Sequence, residues 1–265
     1  MGGNSTMLYF TIPLRSKHAS NNWQDVEKLF NNTLSSILNQ TDDNYRIIVC
    51  CHDVPNLFYG NEFFADKIDF ITVEYPPPEN HHEQMVDKFY KKLYLMTKVR
   101  NLGGGHVMFV DADDLVNCNL ASFVNDNPLI NGWVLKDGYI YDAKNKKAKK
   151  STNFDKVCGT SAILKFEISD LPEFISFDSY APTKYKNYVF CQPHTKAVEV
   201  YERKKNLTID ELPFIGAMYI INNGENHSAA KRDIKTSIII NIKKFLGAIT
   251  WKKIPCEVKK DFNVR

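Results

Sequence analysis

The feature that most constrains the fold of this 265-residue chain is an alternation of short apolar runs with amphipathic segments. Four runs are rich in β-branched and aromatic residues and too short for helices, which predicts buried strands. They are Leu8–Ile12, Arg46–Cys51, Asp69–Val73 and Val107–Val110. Apolar residues recur at helical spacing in Trp23–Leu38 and Glu83–Asn101. Strands without a polar face, alternating with helices, predict a mainly parallel α/β sheet covered by helices on both faces.

The second half of the chain is less regular and predicts shorter elements. Trp133–Leu135 and Tyr139–Tyr141 flank Asp137-Gly138, a dipeptide typical of a tight β-hairpin. The lysine-rich stretch Lys144–Lys150 predicts a solvated loop. The other expected elements are a strand within Cys158–Phe166, a helix over Thr195–Lys204 and a strand over Ala217–Ile221.

Charge is distributed unevenly along the chain. The net charge is +3, yet residues 228–265 contain ten basic and three acidic residues, so that the remaining chain is acidic. This is not the pattern of a nucleic-acid-binding protein, whose basic residues would form a footprint on the main domain. We expect one catalytic domain over residues 1–228 and a basic amphipathic helical tail over residues 229–265.

The spacing of the cysteines and the hydropathy of the chain indicate the cellular compartment in which the protein works. None of the six cysteines forms a C-x-x-C pair, which predicts reduced, mostly buried thiols rather than a disulfide framework or a zinc site. No apolar stretch approaches the roughly 18 residues that cross a bilayer, and the first residues are polar. We expect a cytoplasmic protein. The basic, apolar segment Ile234–Trp251 predicts either a peripheral contact with the inner face of the membrane or a helix packed on the catalytic domain.

Carboxylates cluster after the fourth predicted strand. Asp111, Asp113 and Asp114 repel one another unless a cation or hydrogen-bond donors offset their charge. Mg²⁺ and Mn²⁺ prefer oxygen ligands, and one or two carboxylates plus substrate phosphates are the usual way in which a protein holds Mg²⁺. The alternative is an Asp-rich turn that caps a following helix, Asn117–Asn125. Because ligands of parallel sheets bind beyond the carboxyl ends of the strands, Arg15 and Asp53 are also candidates.

Several segments of the chain resemble the nucleotide-diphospho-sugar transferases of the GT-A fold. Phe109–Asp114 resembles the family's Asp-x-Asp signature, and Thr11–Ser16 resembles its nucleotide-binding first strand and loop. Ser36–Thr41 resembles the end of its first helix. A narrower resemblance, to bacterial transferases of the surface-polysaccharide type, rests on Cys158–Ile163 and Gly224–Ser228. The resemblance covers roughly residues 7–228.

The resemblance implies a metal-dependent glycosyltransferase, which moves a sugar from a nucleotide diphosphate to a hydroxyl of a glycan or lipid-linked acceptor. Asp111, Asp113 and His227 would hold Mn²⁺ or Mg²⁺. If the reaction inverts the anomeric configuration, His194 stands where the family places its base, although the usual Glu-Asp pair is missing. The residues that would contact the nucleotide-sugar are Thr11, Pro13, Arg15, Asp53, Lys88 and Asp111.

Each of these assignments has a simpler alternative. His227 fits an ordinary loop histidine, and Arg15 and Lys88 fit a solvated surface. Lys144–Lys150 is either a lid over the diphosphate or a basic hairpin tip in water. The aromatic residues Trp133, Tyr139 and Tyr141 form either an acceptor platform or core packing.

Two other functions remain open. A non-catalytic nucleotide-sugar binding module would use the same carboxylates without turnover. A nucleotidyltransferase also uses aspartates and Mg²⁺, but it is expected to carry a glycine-rich phosphate loop after the first strand. Pro13–Lys17 contains no glycine, which counts against a nucleotidyltransferase.

Overall fold

The computed structural model describes residues 7–58, 66–179, 185–225 and 251–264. Within these ranges, eleven strands form two sheets. They are β1 (Leu8–Pro13), β2 (Tyr45–Cys51), β3 (Ile68–Thr72), β4 (Gly105–Phe109), β5 (Leu115–Val116), β6 (Gly132–Val134), β7 (Gly138–Asp142), β8 (Lys147–Ser151), β9 (Ala162–Phe166), β10 (Asp210–Glu211) and β11 (Ala217–Ile221). The α-helices are α1 (Trp23–Ile37), α2 (His81–Asn101), α3 (Leu120–Asp126), α4 (His194–Lys205) and α5 (Cys256–Asp261).

The larger sheet has seven strands in the order β10-β6-β9-β4-β1-β2-β3. β1 pairs in parallel with β2 and β4, and β2 pairs in parallel with β3. Among the described strands of this sheet, β9 alone runs against its neighbours. Along β1, Phe10 packs in one core with α1 and Tyr9 packs in another with α2, so helices cover both faces. The predicted mainly parallel α/β architecture is confirmed.

Local sequence signals set the ends of the two long helices. The Asn22 side chain caps α1 by accepting the Gln24 N–H, and the Asn80 side chain caps α2 by accepting the Glu83 N–H. Gly103 follows α2 with a φ of +101°, a left-handed conformation that a residue with a Cβ adopts only under strain. Both helices therefore lie where the sequence predicts them.

The smaller sheet has the order β5-β11-β7-β8, and it overturns two predictions. The hairpin predicted around Asp137-Gly138 is wrong, because β6 joins the larger sheet and β7 joins the smaller one. A Cβ at Gly138 would lie 2.1 Å from the Phe154 ring, so close packing rather than a turn requires this glycine. The hairpin that does form joins β7 to β8. Lys144–Lys150, predicted as a loop, therefore lies largely in a strand.

The described end of the chain packs on the smaller sheet. Lys252 and Ala148 exchange two backbone hydrogen bonds, of 2.8 and 2.9 Å. The buried side chains of Ile254 and Phe262 pack with Met218 of β11. Residues 226–250, and with them His227 and nearly all of the predicted amphipathic segment, lie outside the described residues. The domain boundary after residue 228 therefore stays a prediction.

Two predictions made from composition concern the burial of the cysteines and the length of the apolar segments. All six cysteines are free, and Cys50, Cys51, Cys118 and Cys158 are buried, which confirms mostly buried thiols. Of the helices in the described ranges, none is long and apolar enough to cross a membrane.

Candidate active site

A cavity of about 710 Å³ lies at the carboxyl ends of β1 and β4. Its volume is within the range of small-molecule sites. Six of the nine predicted site residues line it, namely Pro13, Arg15, Lys88, Asp111, Asp113 and His194. They come from the ends of β1 and β4, from α2 and from the start of α4. The fold thus gathers into one site side chains that are up to about 180 positions apart in sequence.

The other three predicted residues lie elsewhere. Thr11 is fully buried in β1, where its hydroxyl donates to the Met108 carbonyl at 3.2 Å, so its side chain does not line the cavity. Asp53 lines a neighbouring pocket of about 520 Å³ and accepts the backbone N–H of Lys17 at 2.8 Å. His227 lies outside the described residues.

Asp114 points into the core rather than into the cavity. Its carboxylate accepts hydrogen bonds from the Thr160 hydroxyl (2.6 Å), the Cys158 thiol (3.1 Å) and the backbone N–H of Ile220 (3.3 Å). Burial, followed by the charges of Asp113 and Asp111, raises the pKa of Asp114 well above its usual range. Asp114 therefore anchors the acidic turn to β11 and to the segment before β9.

The alternative explanation of the acidic turn, a helix cap, does not hold. The following helix, α3, begins at Leu120, and its cap residue Asn119 makes no side-chain capping hydrogen bond. The backbone N–H of Asn119 is satisfied by the Asn117 side chain at 2.9 Å. Asp111 and Asp113, which line the cavity, are therefore not used to start a helix.

Asp111 is half-buried and held from two sides. The Lys88 ammonium lies 2.6 Å from its carboxylate, and its backbone N–H donates to the Thr160 hydroxyl at 2.9 Å. Burial acts to raise the pKa of Asp111, but the adjacent Lys88 charge outweighs burial and lowers it. A Cβ at Gly159 would lie 2.8 Å from the Asp111 carboxylate, so a larger residue there would displace this carboxylate. The Cys158-Gly159-Thr160 segment therefore shapes the acidic turn.

Of the two carboxyl groups that line the cavity, Asp111 and Asp113, Asp113 is the harder to ionise. It accepts a hydrogen bond from the Asn223 amide at 2.8 Å, yet burial and then the charge of Asp111 raise its pKa. A cation shared by both carboxylates would relieve this repulsion, and oxygen ligands suit Mg²⁺ and Mn²⁺. The two carboxylates are therefore oxygen donors of the chemical type that a divalent ion prefers. Within the described part of the chain no group of three His, Cys, Asp or Glu side chains is arranged for a metal, and His227 lies outside it.

Glu225 is a site residue that the sequence did not single out. Its buried carboxylate accepts from the Arg15 guanidinium at 2.7 Å, and its carbonyl accepts from the same guanidinium at 3.0 Å. The backbone N–H groups of Asn21 and Asn22, at the start of α1, also donate to the Glu225 carboxylate. Glu225 therefore fixes Arg15 at the cavity and ties the chain after β11 to the loop after β1.

A buried ion pair positions the same loop from the other side. Lys91 is 1% exposed and pairs with Asp87 at 2.7 Å while donating to the Leu14 carbonyl at 2.7 Å. The Tyr75 hydroxyl donates to the second Asp87 oxygen at 2.9 Å. Because Leu14 directly precedes Arg15, α2 holds the loop after β1 in place through this network.

Lys92 is the second site residue that the sequence analysis missed. It lines the cavity one helical turn after Lys88, and its ammonium lies 4.8 Å from the centroid of the Phe109 ring. Burial, followed by the charge of Lys88, lowers the pKa of Lys92 to about 8. The i, i+4 spacing of two lysines on the helix before the acidic turn was the available signal. Together the two lysines give the cavity a cationic wall.

We expect nucleotide affinity to depend on pH through Lys92. Below a pH of about 8 its side chain is charged and attracts a diphosphate, and above it the charge is lost. Affinity for a nucleoside diphosphate should therefore fall as the pH rises from 7 to 9, by up to roughly tenfold. Calorimetry at both pH values measures the change. Lys92→Arg should remove most of it because arginine stays charged, and an undiminished change in Lys92→Gln would contradict the assignment.

No family model and no curated protein matches the chain. Among solved structures it is similar to residues 1–349 of S. aureus TarS in complex with UDP-GlcNAc, with 13% identity and a TM-score of 0.46. That similarity covers 91% of this chain and 66% of the TarS chain, just under two thirds of its length. A protein named as a nucleotide-diphospho-sugar transferase from Desulfovibrio desulfuricans G20 has 8% identity and a TM-score of 0.35, covering 91% of this chain and 97% of its own. Similarities this distant carry no weight for the reaction.

Proposed function

We propose that this protein is a metal-dependent glycosyltransferase that moves a sugar from a nucleotide-diphosphate donor to a hydroxyl of a glycan or lipid-linked acceptor. The observation that carries the proposal is the meeting of Asp111 and Asp113 with Arg15, Lys88 and Lys92 in one cavity. Carboxylates suit the metal, and the surrounding cations suit the phosphates that the metal would bridge. A site for a neutral sugar alone would need neither group.

A second pocket beside this cavity is the proposed site for part of the nucleotide. The pocket that contains Asp53 is also lined by Lys17 and Tyr75, and the loop after β1 borders both spaces. We place the nucleobase and ribose in the Asp53 pocket and the diphosphate beside Arg15 and Lys88. Thr11 would then act indirectly, by supporting the sheet beneath the loop.

Asp111, Asp113 and His227 are proposed to hold Mn²⁺ or Mg²⁺, which when bound would stabilise negative charge on the departing diphosphate. Asn223 and Glu225 contact Asp113 and Arg15 respectively. The described chain therefore reaches the cavity at Glu225, two positions before His227 in the sequence. This position in the chain supports the assignment of His227 as the third ligand.

Replacement of His227 by Ala is expected to weaken the affinity for Mn²⁺ at least about tenfold, since the ion would lose a nitrogen ligand. A titration of Mn²⁺ in the presence of a nucleoside diphosphate measures this shift. His82→Ala, which removes an exposed histidine of α2, is the matched control and should leave the curve in place. An unmoved curve in the His227 variant would remove this residue from the metal site.

His194 is the proposed base for an inverting reaction. It lines the cavity at the first position of α4. Partial burial of its ring lowers the pKa of His194, although a hydrogen bond to the Lys156 backbone and the charge of Asp111 act in the opposite direction. A neutral imidazole at pH 7 is able to accept the proton of an acceptor hydroxyl. A retaining reaction would need no such base.

Incubation with a panel of nucleotide-sugars and Mn²⁺ separates this proposal from its rivals. A glycosyltransferase releases a nucleoside diphosphate, with transfer to an acceptor or slow hydrolysis of the donor. A nucleotidyltransferase releases no diphosphate from a nucleotide-sugar, but releases pyrophosphate when it is given a nucleoside triphosphate and a sugar phosphate, and a binding module releases neither. The glycine-free loop Pro13–Lys17 disfavours the nucleotidyltransferase. Tight donor binding without release of a diphosphate would favour the module and contradict the proposal.

We further propose that the enzyme works in the cytoplasm and meets the inner face of the membrane through its basic tail. The sequence of Ile234–Trp251 combines an apolar stripe with lysines, as interfacial helices do. Such a contact would bring the cavity close to a lipid-linked acceptor.

A further inference from the structure

Two lysine-rich parts of the chain, about 100 residues apart in sequence, meet at the edge of the smaller sheet. The backbone hydrogen bonds between Ala148 of β8 and Lys252 join the β7–β8 hairpin to the residues after 250. None of the described residues 144–150 lines the cavity. The fold therefore uses this hairpin as part of an outer surface and not as a lid over the diphosphate.

The pairing places four side chains on one face of the small sheet, namely Lys147, Lys149, Trp251 and Lys253. Ala148 and Ile254 are buried together on the opposite face, so Lys147 and Lys149 project away from it. The antiparallel bridge sets residue 149 opposite residue 251, and the Lys149 ammonium lies 5.1 Å from the centroid of the Trp251 ring. The same register sets residue 147 opposite residue 253, and like charges so placed repel one another.

The nearby acids that the structure describes form no ion pair with the lysines of this cluster. Asp142, opposite Lys147, accepts hydrogen bonds from the Lys144 and Asn145 backbone and from the Asn145 side chain. Glu257 and Asp261 lie on α5 beside two further lysines, Lys259 and Lys260. We call the surface the lysine platform, made of Lys147, Lys149, Trp251 and Lys253. Its lysines form no ion pair with any residue that the structure describes.

We propose that the lysine platform docks on an anionic lipid surface. The excess of positive charge favours an anionic partner, and each lysine near such a surface adds to the attraction. Trp251 favours lipid over a soluble polyanion, because indole rings concentrate at membrane interfaces. The 25 residues outside the described ranges, 226–250, rejoin the described chain at Trp251, so their apolar and basic sequence leads directly onto the platform.

The inference deepens the proposed membrane contact of the tail, and it adds the β7–β8 hairpin as a separate contributor. Sedimentation of the full chain with vesicles of phosphatidylserine and phosphatidylcholine tests it without any nucleotide. The hairpin variant Lys147→Gln/Lys149→Gln should bind at least about tenfold more weakly than the unaltered chain. Neutral phosphatidylcholine vesicles should bind neither protein.

Three further variants of this chain provide a charge-matched control and separate tests of the platform and of the tail. Lys28→Gln/Lys186→Gln removes the same charge from exposed lysines elsewhere and should bind like the unaltered chain. Lys253→Gln tests the other side of the platform if the hairpin variant does not fold. Lys235→Gln/Lys243→Gln/Lys244→Gln tests the tail, so full binding by this variant alone refutes the tail contact and leaves the platform. Vesicle binding by the hairpin variant equal to that of the unaltered chain, or capture of soluble polyphosphate without vesicle binding, overturns the inference.

Discussion

Asp113→Asn is expected to abolish metal-dependent nucleotide binding while leaving the fold intact. Asparagine keeps the shape of the side chain and can accept the Asn223 hydrogen bond, but it removes a charged oxygen ligand. Affinity for a nucleoside diphosphate in the presence of Mn²⁺ should fall at least about a hundredfold, and calorimetry measures it. Asp126→Asn, an exposed aspartate at the end of α3, is the matched control.

The same substitution has an expected effect on stability that points in the opposite direction. Burial and the charge of Asp111 raise the pKa of Asp113, so ionisation of this group costs more in the folded state than in the unfolded state. At neutral pH the Asn variant, without ligand, should therefore unfold at the same temperature or a higher one. Unchanged nucleotide affinity, or a loss of stability that explains the loss of binding, would contradict the assignment of Asp113.

Lys91→Met is expected to lower the free energy of unfolding by about 3–5 kcal/mol. The change leaves the Asp87 carboxylate buried without its cation and removes the donor to the Leu14 carbonyl. Urea unfolding measures the loss. Lys98→Met on the same helix removes a partly exposed lysine that lies 3.7 Å from Asp69, and it should cost less than about 1 kcal/mol.

A second substitution separates the ion pair from simple packing. If the unpaired carboxylate causes the loss, Lys91→Met/Asp87→Asn should recover part of it, because the neutral amide is less costly to bury. A loss below about 1 kcal/mol in the single variant would show that water or a rearranged side chain compensates for Lys91, and that the network does not hold the loop after β1.

The sequence predicted the sheet, and it picked out several residues that the fold brings together, for a physical reason. Buried parallel strands and amphipathic helices have local patterns, and ligands bind at strand ends whatever the rest of the chain does. This reasoning was sufficient to select Arg15, Asp111 and Asp113, which line one cavity, but it also selected Asp53, which lines the neighbouring pocket. Local dipeptide signals were less reliable, since Asp137-Gly138 serves packing against Phe154 and not a turn.

The parts that could not be predicted depend on contacts between distant positions. Asp114 differs from Asp111 and Asp113 only through its partners Thr160 and Ile220, which are 46 and 106 positions away. Glu225 meets Arg15 across 210 positions. A single sequence holds no pattern for such pairs, so the inward Asp114 and the Arg15–Glu225 contact become visible only in the fold.

The central claim, that the acidic turn binds a metal and a nucleotide together, is tested most directly by thermal unfolding with nucleotide-sugars. At a concentration 100 times the dissociation constant, a ligand stabilises the folded state by about 2.7 kcal/mol, which raises the unfolding temperature by several degrees. We predict that at least one nucleotide-sugar stabilises the unaltered chain far more with Mn²⁺ than without it, and that Asp113→Asn loses this difference. Equal stabilisation with and without Mn²⁺, or the same response in both proteins, would contradict the claim.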